Sequence, residues 1–379
     1  MSWAEKFLEN PSKLINYQSK SSETVCSGQR KTASPEIQCR IKVGTYYRIS
    51  ELKYIYVKQR SLKPQKCMFI MTLIQQILIR GECKMNQILC STGAIIGKPN
   101  NNDYRLLREY APKLECDGFE LMMSSSWYSH IDQVIDDIKS YRLLIPVVHS
   151  QKSLGESMSG MTVRYSGGRY NEYVMTEEED RKNFEDGTSR FAANLRLAEG
   201  VGAKKMVLHL WNGVVSDKNI QKNVERFGIW KDMADKEGIS LLVENVICNT
   251  QDPLYNMKLV AEAYADAGFV YDTKMAEFHG QMMKLFEPEY EWIVRQGRIK
   301  HLHLNDYGGG YMDWGNMEVL PVGKGHVDFD MFLSRLMSYG YTSDCTVEAT
   351  AVNENGGVDF YMLNDCFKRI RNLLDNHTT

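Results

Sequence analysis

From residue 86 onward, apolar runs of strand length alternate with stretches whose apolar side chains recur every three or four positions. Eight runs read as strands: 87–93, 118–123, 143–150, 204–211, 239–245, 268–272, 299–305 and 345–349. Eight stretches read as helices, near 103–114, 129–141, 177–200, 218–237, 253–266, 283–296, 328–338 and 358–375. Strands joined by amphipathic helices form a parallel sheet with helical crossovers, an α/β arrangement. Eight such units in about 295 residues match the usual size of a closed (β/α)8 TIM barrel. An open dinucleotide-binding sheet would carry G-x-G-x-x-G after its first strand, and this chain does not.

Local chemistry sharpens the helix limits. Asn102 or Asp103 suits a cap for the first helix, Thr176 precedes a run of glutamates fit for a helix start, and Gly200 and Gly202 stop that helix before the fourth strand. The longest irregular stretch is 150–176, a length that in a compact domain marks a functional or mobile loop.

The first 84 residues differ in kind. They hold 15 Lys and Arg against 6 Glu, no aspartate, and four of the nine cysteines, with no sustained period before about residue 68. The expectation is two segments, an extension over 1–84 that is disordered or not native, and a barrel over 85–379. Arg80-Gly81-Glu82 can be encoded by a purine tract of the ribosome-binding kind, with a short spacer to Met85. Met85 is therefore the expected natural start. The remainder carries 31 basic against 42 acidic residues, a net of −11, which lacks the basic face that nucleic acid requires. The cysteines are odd in number and include no C-x-x-C, consistent with free thiols in a reducing cytoplasm. The apolar run 68–79 is too short to cross a bilayer, so no membrane association is expected.

The chemistry gathers at strand ends. Glu244, Asp272, His303 and Glu348 close four consecutive strands, and in a parallel barrel all four reach one mouth. Glutamates flanked by apolar residues, as at 244 and 348, are costly to bury unless paired or bound to a cation. Three carboxylates and an imidazole suit one divalent metal: manganese first, with magnesium, cobalt or zinc as alternatives. His301 shares a face with His303 by strand alternation and lies one layer deeper, as a core histidine. Glu244 and Glu348 reach the axis from separated strands and can serve both as ligands and as an acid/base pair, a geometry suited to a cis-enediolate. Trp127 and Trp211 are candidates for stacking on a sugar ring, and Arg164, Arg169 and Lys324 for holding a phosphate.

The series GFE (118–120), VVHS (147–150), LHLWNG (208–213), LLVEN (241–245), YDTKMAEFHG (271–280), HLHLND (301–306), PVGKGHVDF (321–329) and VEAT (347–350) resembles the xylose isomerase-like barrel superfamily. That superfamily includes sugar and sugar-phosphate isomerases and epimerases and the endonuclease IV type of repair enzyme. The resemblance implies a metal on Glu244, Asp272, His303 and Glu348, with the two glutamates exchanging the proton. It also implies that His149 and His209 bind substrate, since in the endonuclease branch matching positions hold further zinc. Met275 stands where characterised 3-epimerases have a sugar-holding histidine, and Lys274 or His279 is the candidate to compensate. The Asp-Arg-His of the endonuclease branch is absent between Asp306 and Gly323. The expected function is isomerisation or epimerisation of a small sugar, sugar phosphate or polyol-derived ketone, by an enzyme that is a monomer or a homo-oligomer. The alternatives are an inosose-type dehydratase on the same cage and, behind it, an abasic-site endonuclease.

Overall fold

A computed structural model of the chain describes residues 86–250 and 252–377. The expected extension over 1–84 and the start at Met85 lie outside the described residues. The strands are β1 (Ile88–Ser91), β2 (Gly118–Met122), β3 (Val147–His149), β4 (Met161–Ser166), β5 (Arg169–Val174), β6 (Lys205–Leu208), β7 (Ser240–Glu244), β8 (Gly268–Asp272), β9 (Ile299–Leu304) and β10 (Cys345–Val347). The helices are α1 (Leu107–Tyr110), α2 (Ile131–Ser140), α3 (Glu177–Val201), α4 (Ile220–Lys236), α5 (Pro253–Ala263), α6 (Thr273–Phe278), α7 (Glu291–Arg295), α8 (Phe329–Ser338) and α9 (Phe360–His377).

Eight strands close in the order β1-β10-β9-β8-β7-β6-β3-β2, every neighbouring pair parallel. The eight strand-and-helix units expected from the sequence are therefore a closed TIM barrel. Alternation along each strand divides its residues between two environments. Outward side chains such as Phe119, Leu121, Met206, Val243, Phe269 and Leu304 join the helices in one large core. Inward, Leu89, Val147, Val207, Leu242 and Val270 form a separate apolar layer that fills the barrel's floor. Two residues further along the same strands, the inward positions turn polar.

The local signals behave as their chemistry requires. Thr176 and Glu179 form a reciprocal capping box at the start of α3, and Gly202, at φ 84°, ends that helix in the left-handed conformation, whereas Gly200, expected to help stop it, lies inside the helix where it packs close to Ile135. Asp103 accepts the Arg105 N–H at the first helical turn. Asp180, near the start of α3, bonds Lys222 (2.5 Å) and Arg226 (2.8 Å) of α4. Burial works against its charge, yet Arg226 and Lys222 hold its carboxyl below the usual range.

Three features depart from the sequence reading. Within the stretch read as irregular, β4 and β5 pair as an antiparallel hairpin across Gly167-Gly168, both with positive φ, the turn that two-residue hairpins favour. The helix expected over 283–296 is broken, leaving a single turn at Lys284–Phe286 and α7, because Pro288 cannot donate within a helix. Short α6 follows β8 directly, capped by Asp272. Among the described residues no helix is long and apolar enough to cross a membrane.

The segment after β9 is wrapped on Asp306, whose buried carboxylate accepts N–H bonds from Tyr307, Gly323 and Val327 at 2.8, 2.8 and 3.0 Å. A Cβ on Gly325 would lie 2.2 Å from the Tyr307 carbonyl. Gly325→Ala is expected to lower unfolding stability by about 2 kcal/mol, whereas Gly310→Ala, at an open position, changes it by less than about 0.5 kcal/mol. Denaturant melts of the two variants check this.

Candidate active site

Strand alternation sets His149, Glu244, Asp272 and His303 at the ends of β3, β7, β8 and β9, joined by His209 just past β6 and Glu348 just past β10. Glu244, Asp272, His303 and Glu348 offer ligand atoms that all lie within 4.8 Å of one another. A second group, His149, His209 and Glu244, meets the same condition and shares Glu244. The His149 Nδ1–H donates to the Ser150 carbonyl at 2.7 Å, which leaves Nε2 facing Glu244 Oε2 at 3.4 Å. His209 Nε2 reaches that same oxygen at 2.7 Å. Both imidazoles thus converge on a carboxylate of the cluster.

One layer deeper lies a residue the sequence reading passed over. Glu120, on β2, is fully buried, and its Oε2 accepts from Thr346 Oγ1 at 2.7 Å and sits 2.9 Å from His301 Nε2. His303 Nε2 lies 3.1 Å from Glu120 Oε1, while its Nδ1 faces Glu244 Oε1 at 2.9 Å and Glu348 Oε2 at 3.6 Å. A carboxylate behind an imidazole fixes its ring and raises its basicity, as outer partners of metal-binding histidines do. Burial penalises the charged ring, but Glu120, Glu348 and Glu244 together hold the His303 pKa well above its ordinary value. Burial likewise opposes the charge on Glu244, and His303 and His209 draw its pKa down. The signal for Glu120 was present in the sequence: a glutamate inside the apolar run GFELMM, in phase with inward positions.

A divalent cation fits this donor set. Glu244 Oε2 and Glu348 Oε1 are buried without a hydrogen-bond partner, the first despite two imidazole nitrogens close by. Burial, then the charges of Glu244 and Glu348, push the Asp272 pKa up to about 6, an excess of negative potential that a cation would relieve. Asp272 is oriented as well as charged: Oδ1 caps α6 through the Met275 N–H (2.7 Å) and Oδ2 accepts from Asn305 Nδ2 (3.0 Å).

The remaining sequence candidates have other occupations. Trp127 and Trp211 are 2% and 1% exposed, with their indole N–H groups on the Asn102 and Val246 carbonyls, so neither presents a ring face to a sugar. The Lys274 ammonium donates to the Met317 carbonyl at 3.1 Å and ties down the loop after β9. His279 Nε2 accepts the Cys248 N–H at 3.1 Å, and burial lowers its pKa to about 4. Arg164 pairs with Glu179 at 2.7 Å and stacks on Tyr173, while Arg169 bonds Asn171 within the hairpin. Lys324 is exposed in the Gly323–Gly325 turn. Of the expected substrate contacts, the structure brings His149 and His209 to the cluster and gives the polar atoms of the other four backbone partners.

An eight-stranded parallel barrel with a carboxylate and imidazole cluster at its carboxyl-end mouth defines a TIM barrel with a candidate metal site. The chain belongs to the xylose isomerase-like TIM barrel family, whose model matches residues 109–359. No curated protein sequence matches it significantly. Among solved structures it is similar to a D-tagatose 3-epimerase-like protein (16% identity, 77% of this chain and 98% of that one, TM-score 0.53). It is similar also to the IolI protein with a binding zinc atom (14%, 77% and 99%, TM-score 0.56). A third is a D-allulose 3-epimerase from Methylomonas sp. (16%, 77% and 99%, TM-score 0.54). At these identities the likeness is one of fold.

Glu120→Gln is expected to weaken Mn2+ or Zn2+ binding by about 10- to 100-fold, read by calorimetric titration. A buried neutral histidine gives a separate acid signature. With a folded pKa of about 4 against about 6.5 unfolded, His279 costs nothing at neutral pH. Between those values the unfolded state binds the extra proton, so stability is lost as pH falls from about 6.5 to 4, by up to about 3 kcal/mol. His279→Gln, which keeps an acceptor but does not titrate, should flatten that part of the stability profile relative to wild type.

Proposed function

We propose that this protein is a metal-dependent isomerase or epimerase of a small, unphosphorylated polyhydroxy ketone. The observation that carries the reading is the placement of two glutamates with unsatisfied oxygens on strands separated by two others, flanking one imidazole. Glu244, Asp272, His303 and Glu348 would hold a divalent cation, manganese in this reading, which would supply Lewis-acid polarisation of the substrate carbonyl. Glu244 or Glu348 then accepts the proton from the carbon beside the carbonyl. The C–H electron pair becomes a carbon–carbon double bond as the carbonyl π pair moves onto oxygen; when that oxygen's electrons return, the other glutamate, protonated beforehand, delivers its proton to carbon. His149 and His209 face the same space and orient hydroxyl groups. The arginines suited to a phosphate are committed on the hairpin and α3, which favours an uncharged sugar.

One observation favours a second reading. The His149, His209 and Glu244 group would let two ions share Glu244, as a two-metal phosphodiesterase requires. The net −11 of residues 85–379 opposes a DNA substrate.

Mn2+-loaded protein should wash solvent deuterium into at least one member of a panel of ketoses, ketose phosphates and inososes. Glu244→Gln and Glu348→Gln should each reduce that exchange by at least about 10³-fold. Unchanged exchange in both variants removes the mechanism. Loss of water in place of inversion identifies the dehydratase, and incision of abasic duplex DNA by protein holding two or more zinc ions identifies the endonuclease.

A further inference from the structure

We propose that Lys152 is a catalytic residue whose ammonium holds the substrate oxygen that gains charge on proton removal. The proposal rests on the proton-transfer reading above and adds to it a group supplied by a loop.

Lys152 opens a short turn, Lys152–Ser157, three residues past His149. The turn is fixed from both sides. Before it, the Gln151 N–H donates to Asn194 Oδ1 at 3.0 Å and its side-chain oxygen accepts from the Tyr128 hydroxyl at 2.8 Å. Within it, Gly155 lies so close to the end of β6 that a Cβ would stand 2.3 Å from the His209 carbonyl, and Ser216 Oγ donates to the Gly155 carbonyl at 3.0 Å. The backbone that carries Lys152 is thereby held against the rim beside His209.

From this position the Lys152 ammonium lies within electrostatic reach of Glu348, Glu244, Asp272 and Glu120. Burial acts against its charge, but Glu348, Glu244, Asp272 and Glu120 outweigh it and raise its pKa above the ordinary lysine value. Lys152 is itself exposed to solvent, so its ammonium is open to a ligand. Among the described residues it forms no ion pair and no side-chain hydrogen bond. Lys274, the other lysine near Asp272, is spent on the Met317 carbonyl. Lys152 is thus a cation held in the field of the cage with its three donors uncommitted. Preorganised donors aimed at a developing oxyanion act without reorganising during the reaction. In the step itself, the C–H bond breaks, its proton goes to a glutamate carboxylate, its electron pair forms the carbon–carbon double bond, and the carbonyl π pair moves onto oxygen. Lys152 keeps its own protons throughout and donates a hydrogen bond to that oxygen.

The test uses Lys152→Met and Lys152→Arg in the full chain. With the ketose that wild type exchanges most rapidly, Lys152→Met should lower kcat for deuterium exchange by about 10²- to 10³-fold with KM changed less than about fivefold. Lys152→Arg should recover part of the loss. Titration with Mn2+ alone should show Lys152→Met binding the ion about tenfold more tightly, because a positive charge beside the cage has gone. Wild-type exchange in Lys152→Met, or Mn2+ affinity that is unchanged or weaker, overturns the assignment while leaving the glutamate mechanism standing. Wild-type protein that binds Mn2+ but exchanges no ketose overturns the proton-transfer reading, and the role of Lys152 falls with it.

Discussion

The structure is organised around the cost of keeping four carboxylates inside a closed barrel. A buried carboxylate is tolerable only when other groups answer its charge. Here the answers are shared: His303 stands between Glu120 and Glu244, and Glu244 between His303 and the pair His149 and His209. No pair is closed on itself. Removing any one member leaves its neighbours with uncompensated charge, which explains why strands as distant in sequence as β2 and β10 meet through Thr346 and Glu120. Three glutamate oxygens, on Glu120, Glu244 and Glu348, are left without a hydrogen-bond partner, and the last two belong to the candidate metal-ligand group.

The barrel was legible because buried parallel strands announce themselves as apolar runs, and residues at their ends as breaks in those runs. Glu244, Asp272, His303 and Glu348 were found in that way. Glu120 obeys the same physics but lies within its run, where a charged residue is easily taken for a solvent-facing position of a half-buried strand. The hairpin β4–β5 was missed because its residues are mostly polar and exposed, leaving Gly167-Gly168 as its only strong mark. Trp127, Trp211, Lys274 and His279 lie near the right end of the barrel by sequence position, but their polar atoms have nearer partners in the backbone. Proximity to the mouth is a property of the strand. Where a side chain turns from a loop depends on tertiary contacts with no local signature.

Lys152 shows that dependence. Its reach is set by Gly155, whose missing side chain allows the turn to lie on the His209 carbonyl, and by Asn194 on α3. The α3 helix is in turn anchored to α4 by Asp180, Lys222 and Arg226. Rim geometry is therefore inherited from the outer shell of helices, whereas cage geometry is inherited from the strands.

The barrel strands are short, three to six residues, and most place only two side chains inside. The lower of each pair is taken by the apolar floor or by the Glu120, His301 and Thr346 layer, so a single ring of positions remains for reactive groups. Such a ring has about eight places, one per strand, and in this chain six are filled by His149, His209, Glu244, Asp272, His303 and Glu348. A lineage built on this frame can gain little by exchanging residues within the ring without breaking up the cluster. New selectivity must come instead from insertions and substitutions in the connecting segments, which can vary while the inner chemistry stays constant.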